Sequence, residues 1–320
     1  MTQICAGIDV GGGSAKIGLV SGDGDLVRQT IITLPSVTTP DAVVDVYMEP
    51  ITNWLAADQT LELSAVGIGV PGHVIKGNTE VYLCNISLLD NFPIVEHVSS
   101  TLGVPVTMEN DATYAGLGEF LHGAGQGSER FMMATLGTGI GIVYIENGTI
   151  IKTSNGTIGD GGHMIVDRNF RHTCRKGCWG CIESVASGLA MTRDAREFAT
   201  LRPGGALGQV MSSENRDPTV RDIFDGAADN DPDCIKILDE TACWLGMWSA
   251  SMVHIFNPDR VVFGGGWSAS GQSFIDTIFS YASRCGIGYY YNRLRYIPAT
   301  LGNNAGIIGA ASDAFRKFCS

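Results

Sequence analysis

Positive charge is scarce in this chain of 320 residues. It carries 21 Lys and Arg against 33 Asp and Glu, which gives a net charge of -12 at pH 7. An acidic surface repels nucleic acid phosphates and anionic membrane head groups, so we expect neither partner. A small anion can still be bound through backbone N–H groups and a metal ion.

Long apolar runs are also missing. No stretch approaches the roughly 18 apolar residues of a membrane-spanning helix. Residues 1–8 lack the basic and apolar regions of a signal peptide. We therefore expect a soluble, cytoplasmic protein. The composition, 44% hydrophobic and 17% charged, is that of a globular chain long enough for two lobes.

The same structural pattern occurs twice. Strands are predicted in the first half at residues 4–10, 15–20 and 26–34, and in the second half at residues 131–136, 142–146 and 149–153. In each half a glycine turn separates the first two strands, and helices and a further strand follow. This predicts a duplicated α/β unit. Helices are expected at residues 183–198 and 233–256, and a surface loop at residues 203–217.

Three glycine clusters indicate close approach of the backbone to a ligand. Gly11-Gly12-Gly13 and Gly137-Thr138-Gly139 occupy equivalent turns, whose N–H groups could bind phosphates. Asp9, before the first turn, could hold Mg²⁺ through water. Plain β-turns are the alternative. A strand follows the first turn, so it is neither a Walker A loop nor a dinucleotide fingerprint. Gly264-Gly265-Gly266 suits a nucleotide base or ribose, or else a tight turn into a helix.

Six motifs resemble those of the ROK family, in the same order and over essentially the whole chain. They are Asp9–Gly13, Gly67–Gly72, Glu109–Ala112, Leu136–Gly141, Asn257–Gly266 and Leu301–Gly306. The family contains sugar kinases and sugar-responsive repressors. The resemblance implies a two-lobed α/β fold of the actin/hexokinase/Hsp70 type, built on a duplicated ribonuclease H-like unit. We expect residues 1–110 and 302–320 to form a small lobe and residues 111–301 a large one.

The resemblance also implies ATP and Mg²⁺ as ligands, bound between the lobes. The residues expected to bind them are Asp9, Gly11, Gly12, Gly13, Ser14, Lys16, Gly137, Thr138, Gly139, Gly264, Gly265 and Gly266.

Asp111 follows a predicted strand and opens a predicted helix, where helix capping is the simplest interpretation. The resemblance instead implies that Asp111 is the general base that accepts the proton of a sugar hydroxyl. The sugar contacts that it implies are Gly72, Asn85, Asn110, Asp111, Asp160, His163 and Glu183. Asp160 stands where the family has a glutamate, one methylene longer, so the identity of the sugar stays open.

Cys174, Cys178 and Cys181 lie within eight residues, among nine cysteines in the chain. Buried free thiols, an iron–sulfur cluster and a structural zinc site are the three interpretations of this spacing. The resemblance favours zinc, with His163 as the fourth ligand. Lys176 stands where the family has its second cysteine, so Cys178 is expected to replace it, and His172 is a competing ligand.

These observations predict an ATP-dependent hexose kinase, active on glucose, a related hexose or an N-acetylhexosamine, and forming a homodimer. One alternative is a sugar-binding regulator or kinase-like protein without turnover. A DNA-binding repressor would need an N-terminal winged helix, for which the start of the glycine motif at Asp9 leaves no room. An actin-like or chaperone ATPase would not need Asn110, His163 and Glu183.

Overall fold

A computed structural model of the chain describes residues 1–34, 38–75, 81–82, 86–153, 160–267 and 271–319. The chain divides into two compact units. The first comprises Met1–Ser128, Val143–Gly159 and Thr300–Ser320, and the second comprises Glu129–Ile142 and Asp160–Ala299. This grouping differs from the predicted boundary after residue 110, because the helix that starts at Asp111 packs against the C-terminal helix.

The strands are β1 Thr2–Val10, β2 Ser14–Ser21, β3 Leu26–Thr33, β4 Leu61–Val70, β5 His73–Val74, β6 Val81–Tyr82, β7 Val106–Asn110, β8 Arg130–Leu136, β9 Ile140–Glu146, β10 Thr149–Ile150, β11 Arg260–Gly264 and β12 Arg295–Pro298. The helices are α1 Pro40–Ala57, α2 Ile94–Leu102, α3 Asp111–His122, α4 Ile182–Ala186, α5 Gly188–Leu201, α6 Ala206–Ser213, α7 Val220–Ala228, α8 Pro232–Phe256, α9 Gly271–Cys285, α10 Gly288–Tyr291 and α11 Ala305–Phe318. Within the described ranges, none of these helices has the length and apolarity needed to cross a bilayer.

The two large sheets have the same strand order, which confirms the predicted duplication. The first sheet runs β3-β2-β1-β4-β7 and the second runs β10-β9-β8-β11-β12. In the first sheet, β1 pairs antiparallel with β2 and parallel with β4. In the second, β11 is parallel to both β8 and β12. β5 and β6 form a separate antiparallel pair.

Two faces of β1 contact different helices, because successive side chains point to opposite sides of a sheet. Ile4, Ala6 and Ile8 lie in the core that also contains residues of α1 and α2. Cys5 packs instead with Ile307 and other residues of α11. The alternation therefore directs Gly7 and Asp9 toward α11 as well.

α11 lies unusually close to its neighbours, and glycines make this possible. A Cβ atom at Gly7 would lie 2.0 Å from the carbonyl oxygen of Ile307, and one at Gly67 would lie 1.9 Å from that of Ala310. On the other side of α11, a Cβ atom at Gly309 would lie 1.8 Å from the carbonyl oxygen of Tyr114 in α3. Hence any larger residue at these positions would push backbone away from backbone.

The predicted loop at residues 203–217 is wrong, because α6 lies within it. The first turn of α6 is capped from a distance: the Asp231 carboxylate accepts a hydrogen bond from the Ala206 N–H at 3.2 Å. The predicted helix at residues 183–198 is divided in two at Ser187. The Ser187 hydroxyl accepts from the Ala190 N–H at 3.3 Å and starts α5 as a new helix.

We predict that Gly309→Ala destabilises the chain although alanine is the better helix former. The propensity gain is about 1 kcal/mol, whereas the backbone clash with Tyr114 should cost about 3 kcal/mol. The melting temperature should fall by several degrees. Gly288→Ala is the matched control, since nothing lies within 4 Å of its Cβ position. Equal melting temperatures for Gly309→Ala and the wild type would contradict the close packing.

Candidate functional site

Asp9 and Lys16 form an ion pair at the end of β1. They are cross-strand partners in the β1–β2 register, and the Lys16 ammonium lies 3.0 Å from the Asp9 carboxylate. A Cβ atom at Gly306 would lie 2.6 Å from the Asp9 carboxyl carbon. The first turn of α11 therefore approaches this carboxylate closely, and negative charge is favoured at a helix N-terminus.

The turn after Asp9 is a tight hairpin with exposed glycines. The Gly11 N–H donates to the Ser14 carbonyl at 2.8 Å, and the Leu34 N–H donates to the Gly13 carbonyl at 3.2 Å. Gly12 and Gly13 are exposed, with no atom within 4 Å of their Cβ positions. This leaves open space in which an anion could approach the backbone.

Asp111 is the first residue of α3, directly after the helix cap Asn110. The Asn110 side chain accepts from the Thr113 N–H at 3.2 Å, so Asn110 and not Asp111 caps the helix. The Asn110 amide also donates to the Gly72 carbonyl at 3.1 Å. The Asp111 carboxylate accepts from the Ala112 N–H at 2.9 Å. The second carboxylate oxygen is therefore not needed for capping.

Burial raises the pKa of Asp111 to about 7, and the negative charge of Asp9 adds to the effect while Lys16 opposes it. A carboxylate with a pKa near neutrality is suited to accept a proton. In the first unit, the structure thus brings together five residues singled out from the sequence: Asp9, Lys16, Gly72, Asn110 and Asp111. Asn85 lies outside the described residues.

In the second unit, Glu183 binds the turn at residues 137–139. Its carboxylate accepts from the Ile140 N–H at 3.0 Å, and a Cβ atom at Gly139 would lie 2.4 Å from the same oxygen. The Gly137 carbonyl accepts from the Gly188 N–H at 2.8 Å, at the start of α5. Glu183 therefore fixes the glycine turn, a role that its position in the sequence did not reveal.

A cavity of about 860 Å³ opens in the second unit beside this turn. It is lined by Gly137, Thr138, Gly188, Leu189, Thr192, Val220, Arg221, Phe224, Asp225, Gly266 and Trp267. Of the third glycine cluster, Gly266 lines the cavity, whereas Gly265 has a φ of +87° and a Cβ position 2.4 Å from the Leu136 carbonyl oxygen. The sequence did not predict that residues of α5 and α7 line this cavity. The capping box of Thr219 and Asp222 is the signal that could have located α7.

His163, Cys174 and Cys178 offer ligand atoms that lie within 4.8 Å of one another. The His163 Nδ1 atom is 3.6 Å from the Cys174 sulfur and 3.8 Å from the Cys181 sulfur. Tetrahedral zinc with ordinary Zn–N and Zn–S bonds would separate a nitrogen and a sulfur ligand by about 3.6 Å. His163, Cys174 and Cys178 therefore fit zinc, and the Cys181 sulfur lies at a comparable distance from the His163 nitrogen. Burial raises the pKa of the Cys181 thiol to about 11.

Two hydrogen bonds and one close backbone contact fix the segment that carries Asp160 and His163. The His163 N–H donates to the Asp160 carbonyl at 2.8 Å, and the buried Trp248 indole donates to the Gly161 carbonyl at 2.9 Å. A Cβ atom at Gly162 would lie 1.9 Å from the Ile140 carbonyl oxygen. His172, the competing ligand, lies outside the group formed by His163, Cys174 and Cys178.

Comparison with known proteins finds similarity over nearly the whole chain. The model of the ROK family matches residues 5–316. Glucokinase of Streptomyces coelicolor is 32% identical over 314 residues, which are 96% of this chain and 96% of that protein. A ROK family glucokinase from Streptomyces griseus, solved in complex with glucose and AMPPNP, has a TM-score of 0.83 at 30% identity and covers 98% of this chain and 99% of its own. The xylose repressor of Bacillus spizizenii is 26% identical over 98% of this chain and 77% of the repressor.

The structural similarity confirms the expected fold class. The duplicated α/β sheets belong to the actin/hexokinase-type fold of these sugar kinases. The resemblance given by the six sequence motifs is likewise confirmed, because the matched region begins before Asp9 and ends within α11.

We predict that Asp111→Asn stabilises the chain at alkaline but not at acidic pH. The native state keeps the Asp111 proton up to about pH 7, whereas an unfolded aspartate loses it near pH 4. The native state thus binds more protons across this window, so stability falls as pH rises from about 4 to about 7. The amide cannot ionise and escapes this loss. At pH 8 the variant should gain roughly 2 kcal/mol in the free energy of unfolding.

Thermal denaturation between pH 4 and pH 8 measures this difference. Asp58→Asn is the control of opposite sign, because hydrogen bonds from Thr60 lower the pKa of Asp58. Its carboxylate contributes stability above about pH 4 that is lost as pH falls. An Asp111→Asn variant that is no more stable than the wild type at pH 8 would show that Asp111 is not under electrostatic strain.

Proposed function

The chain belongs to the ROK family, and we propose that it is an ATP-dependent sugar kinase that transfers the γ-phosphoryl group of ATP to a hexose hydroxyl. The observation that carries this proposal is the position of Asp111, a partly buried carboxylate at the start of α3 with a pKa near 7. A helix cap alone would not require it, since Asn110 already caps α3. The relatives named glucokinase support the same reaction.

In this reaction Asp111 accepts the proton of the attacking sugar hydroxyl as the new O–P bond forms and the bond to the leaving ADP oxygen breaks. Asn110 and His163 orient the sugar, with Gly72, Asp160 and Asn85 as further contacts. Nδ1 of His163 faces the cysteines, so its Nε2 atom is available for a sugar hydroxyl. Glu183 fixes the glycine turn through one carboxylate oxygen. Its other carboxylate oxygen accepts a hydrogen bond from the sugar.

The nucleotide is bound mainly through backbone. Gly12 and Gly13 in one turn, and Gly137 to Gly139 in the other, offer N–H groups to phosphate oxygens. Asp9 would hold Mg²⁺, which would neutralise phosphate charge, and Lys16, its ion-pair partner, would offer its ammonium group to a phosphate. The cavity beside Gly137 and Gly266 is large enough for adenosine, with Phe224 and Leu189 as apolar surfaces for the base.

Glucose is the first sugar to test, because the Streptomyces griseus neighbour was solved with glucose. The shorter side chain of Asp160 leaves other hexoses and N-acetylhexosamines as candidates. A sugar-responsive protein without turnover is the second candidate function, favoured by the similarity to the xylose repressor. It would bind the sugar without forming ADP.

The kinase proposal predicts that a hexose accelerates ADP formation from ATP above the rate without sugar. A coupled ADP assay with glucose, mannose, allose, N-acetylglucosamine and N-acetylmannosamine measures this. Asp111→Asn should lower kcat by at least 10²-fold while sugar affinity changes little. The wild-type kcat/KM should decline below about pH 7 as Asp111 becomes protonated. No acceleration by any sugar, with sugar binding retained, would favour the regulator instead.

We also propose that His163, Cys174, Cys178 and Cys181 hold a structural zinc ion. Zinc bound there would fix the orientation of the His163 ring and with it the sugar-binding segment. Elemental analysis should find one zinc per chain. Cys178→Ser should lose most of it and weaken sugar binding more than ATP binding, both measured by calorimetry. Cys243→Ser, a half-buried cysteine of α8, is the control. Full zinc content in Cys178→Ser would exclude Cys178 as a ligand.

A further inference from the structure

A buried carboxylate lies directly before the proposed base. Glu109, in β7, is only 3% exposed. One of its oxygens accepts from the Asn110 N–H at 3.0 Å, and the other pairs with the ammonium group of Lys152. A buried carboxylate needs a cation and hydrogen bonds to offset its desolvation. Lys152 and the Asn110 N–H supply these.

Asn110 is consequently fixed at three atoms. Its N–H donates to Glu109, its side-chain oxygen accepts from Thr113, and its amide group donates to the Gly72 carbonyl. The latter two bonds are made by the side chain, whereas the Glu109 carboxylate holds the backbone N–H of Asn110 at the end of β7, where Asn110 is the register partner of Val70. Because Asp111 is the next residue, the direction of this peptide determines where the Asp111 carboxylate points.

A second lysine near β7, Lys317, is engaged by other partners. The Lys317 ammonium donates to the Asp313 carboxylate at 2.7 Å and to the Thr107 hydroxyl at 2.8 Å. Lys152 lies just after β10, in the stretch of chain that leads to Asp160 and His163, and its side chain is 29% exposed. Without Glu109 it can turn to solvent, whereas Glu109 without Lys152 stays buried.

We propose that Glu109 and Lys152 are positioning residues: their ion pair fixes the Asn110 backbone and thereby aims Asp111 at the acceptor hydroxyl. This inference rests on the proposed function, since it assigns how the base of that reaction is held. It also assigns different roles to the two residues. The acceptor oxygen of Glu109 is needed for positioning, and the charge of Lys152 is needed only because Glu109 is charged.

This asymmetry predicts an unusual order of activities. Lys152→Met leaves a buried charge without its cation, so kcat should fall at least tenfold, because small misplacements of catalytic groups are costly. Glu109→Gln keeps an acceptor oxygen and should stay within about fivefold of the wild type. The double variant Glu109→Gln/Lys152→Met, with no buried charge, should recover to the level of Glu109→Gln. Lys236→Met, a surface lysine of α8, is the matched control for losing one positive charge.

A second pair of variants separates positioning from stability, and it serves even if Lys152→Met does not fold. Glu109→Gln/Lys152→Met and Glu109→Leu/Lys152→Met are both uncharged here, but only glutamine can accept from the Asn110 N–H. We expect kcat of the leucine variant to be at least tenfold lower, with the KM for ATP within twofold, at temperatures well below both melting temperatures. Equal kcat values for the two variants would overturn the proposal, as would a double variant no more active than a folded Lys152→Met.

Wild-type turnover in the same assay reports on the kinase function, and the ratios between variants report on the positioning role. If the wild type is active but the glutamine and leucine double variants have the same kcat, only the positioning role of Glu109 and Lys152 is refuted.

Discussion

The contact of α11 with the sheet and with α3 is the packing constraint on which the candidate site of the first unit depends. Its backbone approaches that of β1, β4 and α3 so closely that Gly7, Gly67 and Gly309 have no room for a Cβ atom. Dispersion contacts fall off steeply with distance, so such backbone packing gains contacts that side chains could not provide. It also brings the first turn of α11 to the Asp9 carboxylate. One packing constraint thereby joins the core to the proposed phosphate site.

Each polar side chain near Asp111 makes a different stabilising interaction. Asn110 caps α3, Glu109 holds the Asn110 backbone, and Lys152 balances the charge of Glu109. Asp111 is left with a raised pKa, and its carboxylate accepts from the Ala112 N–H. Burial of this carboxylate disfavours its charged form, and such a shifted pKa is common at functional sites. The same division of tasks holds in the second unit, where Glu183 fixes the glycine turn.

The sequence was informative where structure depends on neighbouring residues. Alternating strands, glycine turns and the motif around Asp111 are local patterns, and both sheets follow from them. The sequence was least informative where the local structure depends on a residue that is distant in the sequence. The first turn of α6 is capped by Asp231, twenty-five positions away, and the local sequence, which begins with Pro203-Gly204-Gly205, resembles a loop. The cavity walls come from α5 and α7, whose approach to Gly137 and Gly266 depends on tertiary packing. The ion pair of Glu109 with Lys152 also joins residues that are far apart in the sequence.

The two halves share a strand order but differ greatly in one connection. Residues 34–60 join the third strand of the first sheet to the fourth, whereas residues 151–259 make the corresponding link in the second. Most of the cavity lining and the group formed by His163, Cys174 and Cys178 occur in that longer link. Ligand preference can thus diverge among relatives by changes in a single insertion, while the hydrogen-bond registers of both sheets stay intact.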